Sequence, residues 1–352
     1  MSRRICIAVD AMGGDHGPEV VVPGALEAAR SKNLKILLVG DEARIKTILA
    51  QESTKGIEVE IVHAEEVVGM EEKPSEALRR KKKSSIQKAF ILAREGKADG
   101  VVSAGNSGAT LACGMFTVGR IKGIERPALA PILPSEKKPV VLIDVGANVD
   151  CKPHHLLQFG LMAEIFARDV LKIQNPTLGL LTIGEEEGKG NTLVREAYNL
   201  FKLSFLNFVG NVEGRDIFKG NVDIIVCDGF VGNVALKLME GLASSLGTLL
   251  KKEIKKSFWA KVGFLLAKKS LKNFARKLDY AEYGGAPLLG LKKLALVCHG
   301  SSNSKAIKNA VLMAASFVKN KANEHLEEGL AMHQEISLLG KKALTNQKAK
   351  SV

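Results

Sequence analysis

Five loops of this chain collect residue types that can hold a small anion, and each follows a short apolar run. The run Ile5–Asp10 opens into a loop with Asp10, Gly13, Gly14, Asp15 and His16. A second run ends at Ala104 and leads to Gly105, Asn106, Ser107 and Gly108. Asp144 starts a third loop that reaches Asn148, and a fourth carries Gly188, Lys189, Gly190 and Asn191. The fifth begins at Asp228 and reaches Gly232 and Asn233. Glycines let the backbone come close to a ligand, and the helix start that follows each loop offers unpaired N–H groups to negative charge. The chemistry expected is an enzyme's handling of a small anion.

The side chains divide this work. Lys189 stands between two glycines, where packing explains it poorly and delivery of a point charge to a phosphate explains it well. Asn233 can donate an amide hydrogen to a developing oxyanion. Asn106 or Ser107 can cap the helix after the second loop and still line an anion nest. Asp10 and Asp15 have two readings, of equal weight for Asp10. They orient a cation or a loop lysine, or they accept backbone N–H groups in a glycine-rich turn.

Other chemistries lack their residues. The stretch nearest to a phosphate-binding G-x-x-x-x-G-K-[ST] loop, Gly184 to Gly190, is one residue short and has no hydroxyl. No G-x-G-x-x-G follows the first strand, and neither G-x-S-x-G nor H-E-x-x-H occurs. His154 and His155 are adjacent, which on a helix points them to different faces, so a shared metal is not expected. The five cysteines, Cys6, Cys113, Cys151, Cys227 and Cys298, are scattered and read as buried thiols of a reducing compartment.

The elements that must position these loops alternate strand and helix. That spacing predicts βαβ units and a mainly parallel sheet in a three-layer α/β/α, Rossmann-like fold, with the loops lined up outside the carboxyl ends of the strands. The expected strands include Gly100–Ala104, Val140–Val145, Leu178–Ile183, Phe205–Val209 and Asp223–Asp228. One catalytic domain is expected over residues 1–340, with a disordered basic tail over 341–352. Residues 240–279 break the alternation with lysine-rich amphipathic helix. Two helices meeting near Lys261 to Leu266 would form a protruding hairpin with Trp259, Phe264, Leu265 and Leu266 at its tip, suited to reversible contact with an anionic membrane.

Composition limits the partners. Apolar residues make up 46% and the formal net charge is +13, which favours an anionic partner. No zinc-finger or aromatic RNA-binding motif is present, so nucleic acid is not expected. Arg79, Arg80, Lys82 and Lys83 lie in a cationic run that reads as a solvated helix face or as a docking edge for an acidic protein. No secretory leader is evident, and no stretch reaches the roughly 20 apolar residues of a membrane span, so a cytoplasmic location is expected.

The ordered motifs AVDAMGGDHGP (Ala8–Pro18), RRKKKSS (Arg79–Ser85), SAGNSGA (Ser103–Ala109), GRIKGIERPALAP (Gly119–Pro131) and DVGANVDCKP (Asp144–Pro153) run through the first half of the chain. GEEEGKGN (Gly184–Asn191), CDGFVGNVALK (Cys227–Lys237), EYGGAPLLGLK (Glu282–Lys292) and CHGSS (Cys298–Ser302) continue them. Together they resemble the bacterial phosphate acyltransferase family of phospholipid synthesis, acyl-[acyl-carrier-protein]–phosphate acyltransferase (PlsX). The family motif usually reads GNTGA where this chain has Ser107, and the hydroxyl is retained. The resemblance implies a fold like that of phosphotransacetylases and isopropylmalate dehydrogenases, and a homodimer bound peripherally to the inner face of the cell membrane. It also implies transfer of a fatty acyl group from acyl carrier protein to inorganic phosphate, without metal or organic cofactor. A downstream glycerol-3-phosphate acyltransferase that uses the acyl phosphate is a possible partner. Lys189, Asn106 and Ser107 would then hold phosphate, and Asn233 the oxyanion. Asp10 to Asp15 and Asp144 to Asn148 would frame them. Two other classes compete. An NAD-dependent dehydrogenase would need the missing glycine fingerprint, and a non-catalytic membrane scaffold leaves the five loops unexplained.

Overall fold

In the computed structural model, residues 3–278 and 282–332 are described, so the expected basic tail lies outside the described residues. The chain forms two sheets where a single one was expected. The first sheet contains β1 (Ile5–Asp10), β2 (Leu34–Gly40), β3 (Glu58–His63), β4 (Gly100–Ser103), β5 (Ala128–Leu129), β11 (Ala286–Leu289) and β12 (Leu294–Val297). The second contains β6 (Ile132–Leu133), β7 (Val140–Ile143), β8 (Leu178–Thr182), β9 (Phe208–Glu213) and β10 (Ile224–Val226). Their orders are β3-β2-β1-β4-β12-β11-β5 and β6-β7-β10-β8-β9.

Pairing is parallel throughout the centre of each sheet, while β11 and β6 run antiparallel to their neighbours. The central strands are buried along almost their whole length, as parallel strands covered on both faces must be. Helices such as Pro18–Ser31, Ser107–Thr117, Pro153–Asp169 and Ser304–Lys319 supply that cover. The segment 128–133 leaves one sheet as β5 and enters the other as β6, so it stitches the two together. Both hydrophobic clusters draw side chains from both sheets: one joins Ile7 and Val102 to Ile143 and Leu180, the other Ala8 and Val101 to Leu142 and Ile225.

The second sheet went unseen because its link is cryptic. Ala-Leu-Ala-Pro-Ile-Leu carries two strands of two residues each around Pro131, and proline marks a break rather than a strand. Strand β9 begins three residues later than expected, at Phe208, and includes Gly210 in the left-handed region beside a register shift against β8.

The lysine-rich region is helical, but its corner is elsewhere. The helix Gly229–Lys256 ends at an extended Ser257, and Phe258–Leu278 begins at once. The Ser257 hydroxyl oxygen accepts the Ala260 N–H, a capping contact that fixes the break there. Trp259 is therefore at the corner, 78% exposed, whereas Phe264, Leu265 and Leu266 lie further along the second helix. They remain exposed, Leu266 at 83%.

Candidate active site

The anion-type loops emerge at the carboxyl ends of β1 and β4 in one sheet and of β7, β8 and β10 in the other. On the first sheet, Asp10 is 3% exposed and ties loops together. It accepts the Ser103 hydroxyl at 2.8 Å and the Met12 N–H at 3.3 Å, and Ser103 Oγ in turn accepts the Gly105 N–H at 3.0 Å. Burial pushes the Asp10 carboxyl above its usual range, against the pull of these donors. Gly13 makes the contact possible, because a Cβ there would sit 2.6 Å from the Gly105 nitrogen. Gly14 lies against the Gly300 carbonyl, which accepts the Asp15 N–H at 2.8 Å, and the Asp15 and His16 side chains face solvent.

Asn106 is fully engaged. Its side-chain oxygen caps the helix Ser107–Thr117 by accepting the Ala109 N–H at 3.0 Å. Its amide donates to the carbonyls of Met70 and Glu72 at 2.8 and 2.9 Å. Gly108 packs under Pro74. What this helix start offers a ligand is the Ser107 hydroxyl and the backbone N–H groups of Ser107 and Gly108, since the Ala109 N–H is taken by the cap.

On the second sheet, Asp144 is fully buried at the end of β7. It accepts the N–H groups of Leu129, Ala147 and Asn148 and the Asn148 amide, at 2.9, 3.2, 2.7 and 2.9 Å. Burial pushes its carboxyl up while these donors pull it down. Leu129 belongs to β5, so Asp144 ties the two sheets together. Asn148 also donates to the Pro127 carbonyl at 2.7 Å, which makes it framework. Asp228 caps the long helix by accepting the Phe230 and Val231 N–H groups, both at 3.0 Å. One turn on, Gly232 presses against the β7 loop, where a Cβ would lie 1.9 Å from the Asp144 carbonyl oxygen. The next residue, Asn233, is thereby set over Gly146.

The fourth loop stands on the same edge. Asn191 caps Thr192–Lys202 through the Val194 N–H at 2.9 Å, and the Gly190 carbonyl accepts from Arg195 at 2.9 Å. Gly188 has open space around it. The Lys189 side chain is exposed, and among the described residues no acidic group pairs with it.

Between the sheets lies a cavity of about 290 Å³, near the lower end of ligand-site volumes. Its apolar wall includes Leu129, Ile132, Leu133, Leu236 and Val297, and its polar lining includes Ser107, Asn233, Lys237, Glu240, Tyr283 and His299. The fold thus brings Ser107 and Asn233 into one cavity, while Lys189 stands outside its lining. Lys237, Glu240, Tyr283 and His299 were not singled out from the sequence. Asn233, Leu236, Lys237 and Glu240 recur at three- and four-residue steps, one face of a helix, and this was the available signal.

His154 and His155 correct the sequence argument. At the first turn of Pro153–Asp169 both Nε2 atoms reach the Glu125 carboxylate, at 3.0 and 3.2 Å, so adjacency did not separate them. Glu125, His154 and His155 are the kind of set that holds a metal. However, His155 Nδ1 accepts the Lys152 N–H at 3.0 Å, which puts the neutral ring's proton on Nε2, the atom a metal would need. The group thus serves as a clamp, with Gln158 adding bonds to the Glu125 N–H and the Gly123 carbonyl at 3.0 and 2.9 Å.

The described cysteines are all free. Burial pushes the Cys298 and Cys113 thiols up to about 12, and Cys6 and Cys151 up to about 11. Near neutral pH these are thiols, without the thiolate that a nucleophile requires.

The chain matches the family described as "Fatty acid synthesis protein" over residues 5–325. It is 63% identical over 336 residues to a phosphate acyltransferase of Nitratidesulfovibrio vulgaris, covering 95% of this chain and 97% of that one. A phosphate acyltransferase of Lawsonia intracellularis is 59% identical over 341 residues, covering 96% and 98%. Among solved structures, a phosphotransacetylase from Streptococcus pyogenes aligns with a TM-score of 0.62 at 16% identity, covering 91% of this chain and 95% of that one. A phosphotransacetylase from Staphylococcus aureus aligns at 0.58 and 14% identity, covering 90% and 94%, so the fold is shared.

Proposed function

The chain belongs to the fatty acid synthesis protein family and is a phosphate acyltransferase, and on that premise we propose that it moves a fatty acyl group directly from the thioester of acyl carrier protein to inorganic phosphate. The observation that carries the direct route is the cavity. Its wall is apolar, as an acyl chain requires, and its polar lining holds hydrogen-bond donors but no activated nucleophile. Inorganic phosphate is already partly a dianion near neutral pH, so it needs positioning more than deprotonation.

A phosphate oxygen attacks the thioester carbon, the carbon–sulfur bond breaks, and the products are acyl phosphate and thiol. The proton left on the attacking phosphate balances the one gained by the sulfur. The Ser107 hydroxyl and the N–H groups of Ser107 and Gly108 receive phosphate, and Asn233 donates to the carbonyl oxygen as it becomes an oxyanion. Asn106, whose side chain is occupied, acts by holding the helix start in place. Lys189, which pairs with no acidic group among the described residues, stands on a neighbouring loop and meets the phosphate once substrate is bound. Lys189→Ala is expected to lower kcat/KM for phosphate about 10²-fold, the scale of one lost electrostatic contact. A change of only a few-fold in a folded variant removes Lys189 from the site.

Among the described residues no helix is long and apolar enough to cross a membrane. Trp259, Phe264, Leu265 and Leu266 are exposed among Lys251, Lys252, Lys255, Lys261, Lys268, Lys269 and Lys272. This supports peripheral binding to an anionic bilayer, where each nearby cation contributes about 1 kcal/mol. Replacing Phe264, Leu265 and Leu266 with serine is expected to abolish sedimentation with anionic liposomes; unchanged sedimentation rejects this assignment.

Val234, Leu238, Leu242, Leu246 and Leu249 form an exposed apolar stripe on the long helix, and a second copy of the chain would cover it. A monomer in sedimentation equilibrium would oppose that arrangement. Lys83 pairs with Glu65 and Lys81 with Glu72. Arg79, Arg80 and Lys82 remain exposed, and they are the docking residues proposed for the acidic carrier. Charge reversal there should raise KM for the acyl carrier thioester, and an unchanged KM would place the carrier elsewhere.

A further inference from the structure

His299 stands one residue beyond Cys298, which follows the end of β12, and it lines the same cavity as Asn233 but comes from the opposite sheet. Its ring is held at one end. Nδ1 accepts the Ser301 backbone N–H at 3.2 Å and lies 2.7 Å from the Ser301 hydroxyl. A ring nitrogen that accepts an N–H carries no proton, so the neutral imidazole bears its hydrogen on Nε2. Nε2 is turned towards Glu240, 3.9 Å from its Oε1, while Oε2 of that carboxylate accepts from Lys237 at 3.0 Å. Glu240 and Lys237 line the cavity too. The loop itself is anchored, because the Gly300 carbonyl accepts the Asp15 N–H at 2.8 Å and the His299 carbonyl the Ser302 N–H at 2.9 Å.

We propose that neutral His299 is a catalytic residue, whose Nε2–H donates to the thioester carbonyl oxygen and, with Asn233, completes the oxyanion site. This rests on the reading that the cavity takes the acyl thioester. Two donors brought from two sheets fix the carbonyl between them, and both bonds strengthen as negative charge develops on the oxygen. His299 transfers no proton in this role, and the departing sulfur is protonated by the balance already described. The glycine after His299 packs against the first anion-type loop. A Cβ at Gly300 would meet the Asp15 carboxylate at 3.2 Å, so the His299 loop and the first anion-type loop are packed as one piece.

The test uses the full-length protein, an acyl carrier protein thioester and inorganic phosphate, with acyl phosphate formation as the readout. His299→Ala is expected to lower kcat about 10²-fold with KM for the thioester within a few-fold, the scale of a lost oxyanion donor. His299→Gln keeps an amide N–H near the Nε2 position and is expected to recover at least tenfold of that loss. Equal losses in the alanine and glutamine variants would overturn the proposal. So would an alanine variant that is folded and fully active. An Asn233→Ala protein run alongside separates the causes: if it too is fully active, the cavity reading has failed, and if only the His299 variants are active, that reading stands without His299.

Discussion

Replacing Asn233 with alanine is expected to lower kcat by about 10²–10³-fold, the loss seen when one oxyanion donor is removed from a comparable acyl-transfer site. The effect should fall on kcat, because the donor matters most when the carbonyl oxygen carries charge. Asn233 is suited to a clean experiment. It is exposed at the cavity, and the first-turn N–H groups of its helix are capped by Asp228 without its help. The substitution should therefore leave the melting temperature within a degree or two of the native value. Steady-state kinetics with saturating phosphate check the prediction, and a kcat within a few-fold of native would exclude Asn233 from the chemistry.

The largest structural effect is expected one residue earlier. A Cβ at Gly232 would lie 1.9 Å from the Asp144 carbonyl oxygen, a backbone atom that cannot swing aside. Gly232→Ala must lift the long helix from the β7 loop. The cost is about 3 kcal/mol, the upper end for overpacking, and Asn233 is carried out of position with the helix. Both stability and turnover should fall together. The same substitution at Gly241, further along this helix where no atom lies within 4 Å, gives the contrast. There alanine should be neutral, or stabilising by up to about 1 kcal/mol, since glycine is the poorer helix former. Thermal melts of the two variants decide the matter, and similar melts would contradict the packing described.

The comparison of these two glycines shows how far the sequence can be read. The five loops were legible as a class, because strand, glycine, polar residue and helix start recur in order. Which member of each loop faces a ligand was not legible. Asn106 and Asn148 look like Asn233 in sequence, but they are consumed by the carbonyls of Glu72 and Pro127, contacts made 34 and 21 residues away. Non-local bonds of this kind leave no local pattern. The second sheet was hidden for a related reason, since its link passes through two very short strands around Pro131. His299 was visible only within the CHGSS motif after another apolar strand, and its place beside Asn233 depends on how the two sheets face each other. The convergence of His154 and His155 on Glu125 escaped a helix-face argument because side chains of a first turn can bend to one partner. The corner at Ser257 could have been found, since serine is a strong helix start.

The central claim is direct attack of phosphate on the thioester, and one measurement addresses it. Protein is mixed with radiolabelled acyl-acyl carrier protein in excess, first without phosphate, then with phosphate, and quenched over the first turnovers. The account predicts no labelled protein and no release of carrier thiol in the first phase. With phosphate, one acyl phosphate should form for each thiol released. A stoichiometric burst of carrier thiol and acid-stable labelled protein before phosphate is added would contradict it.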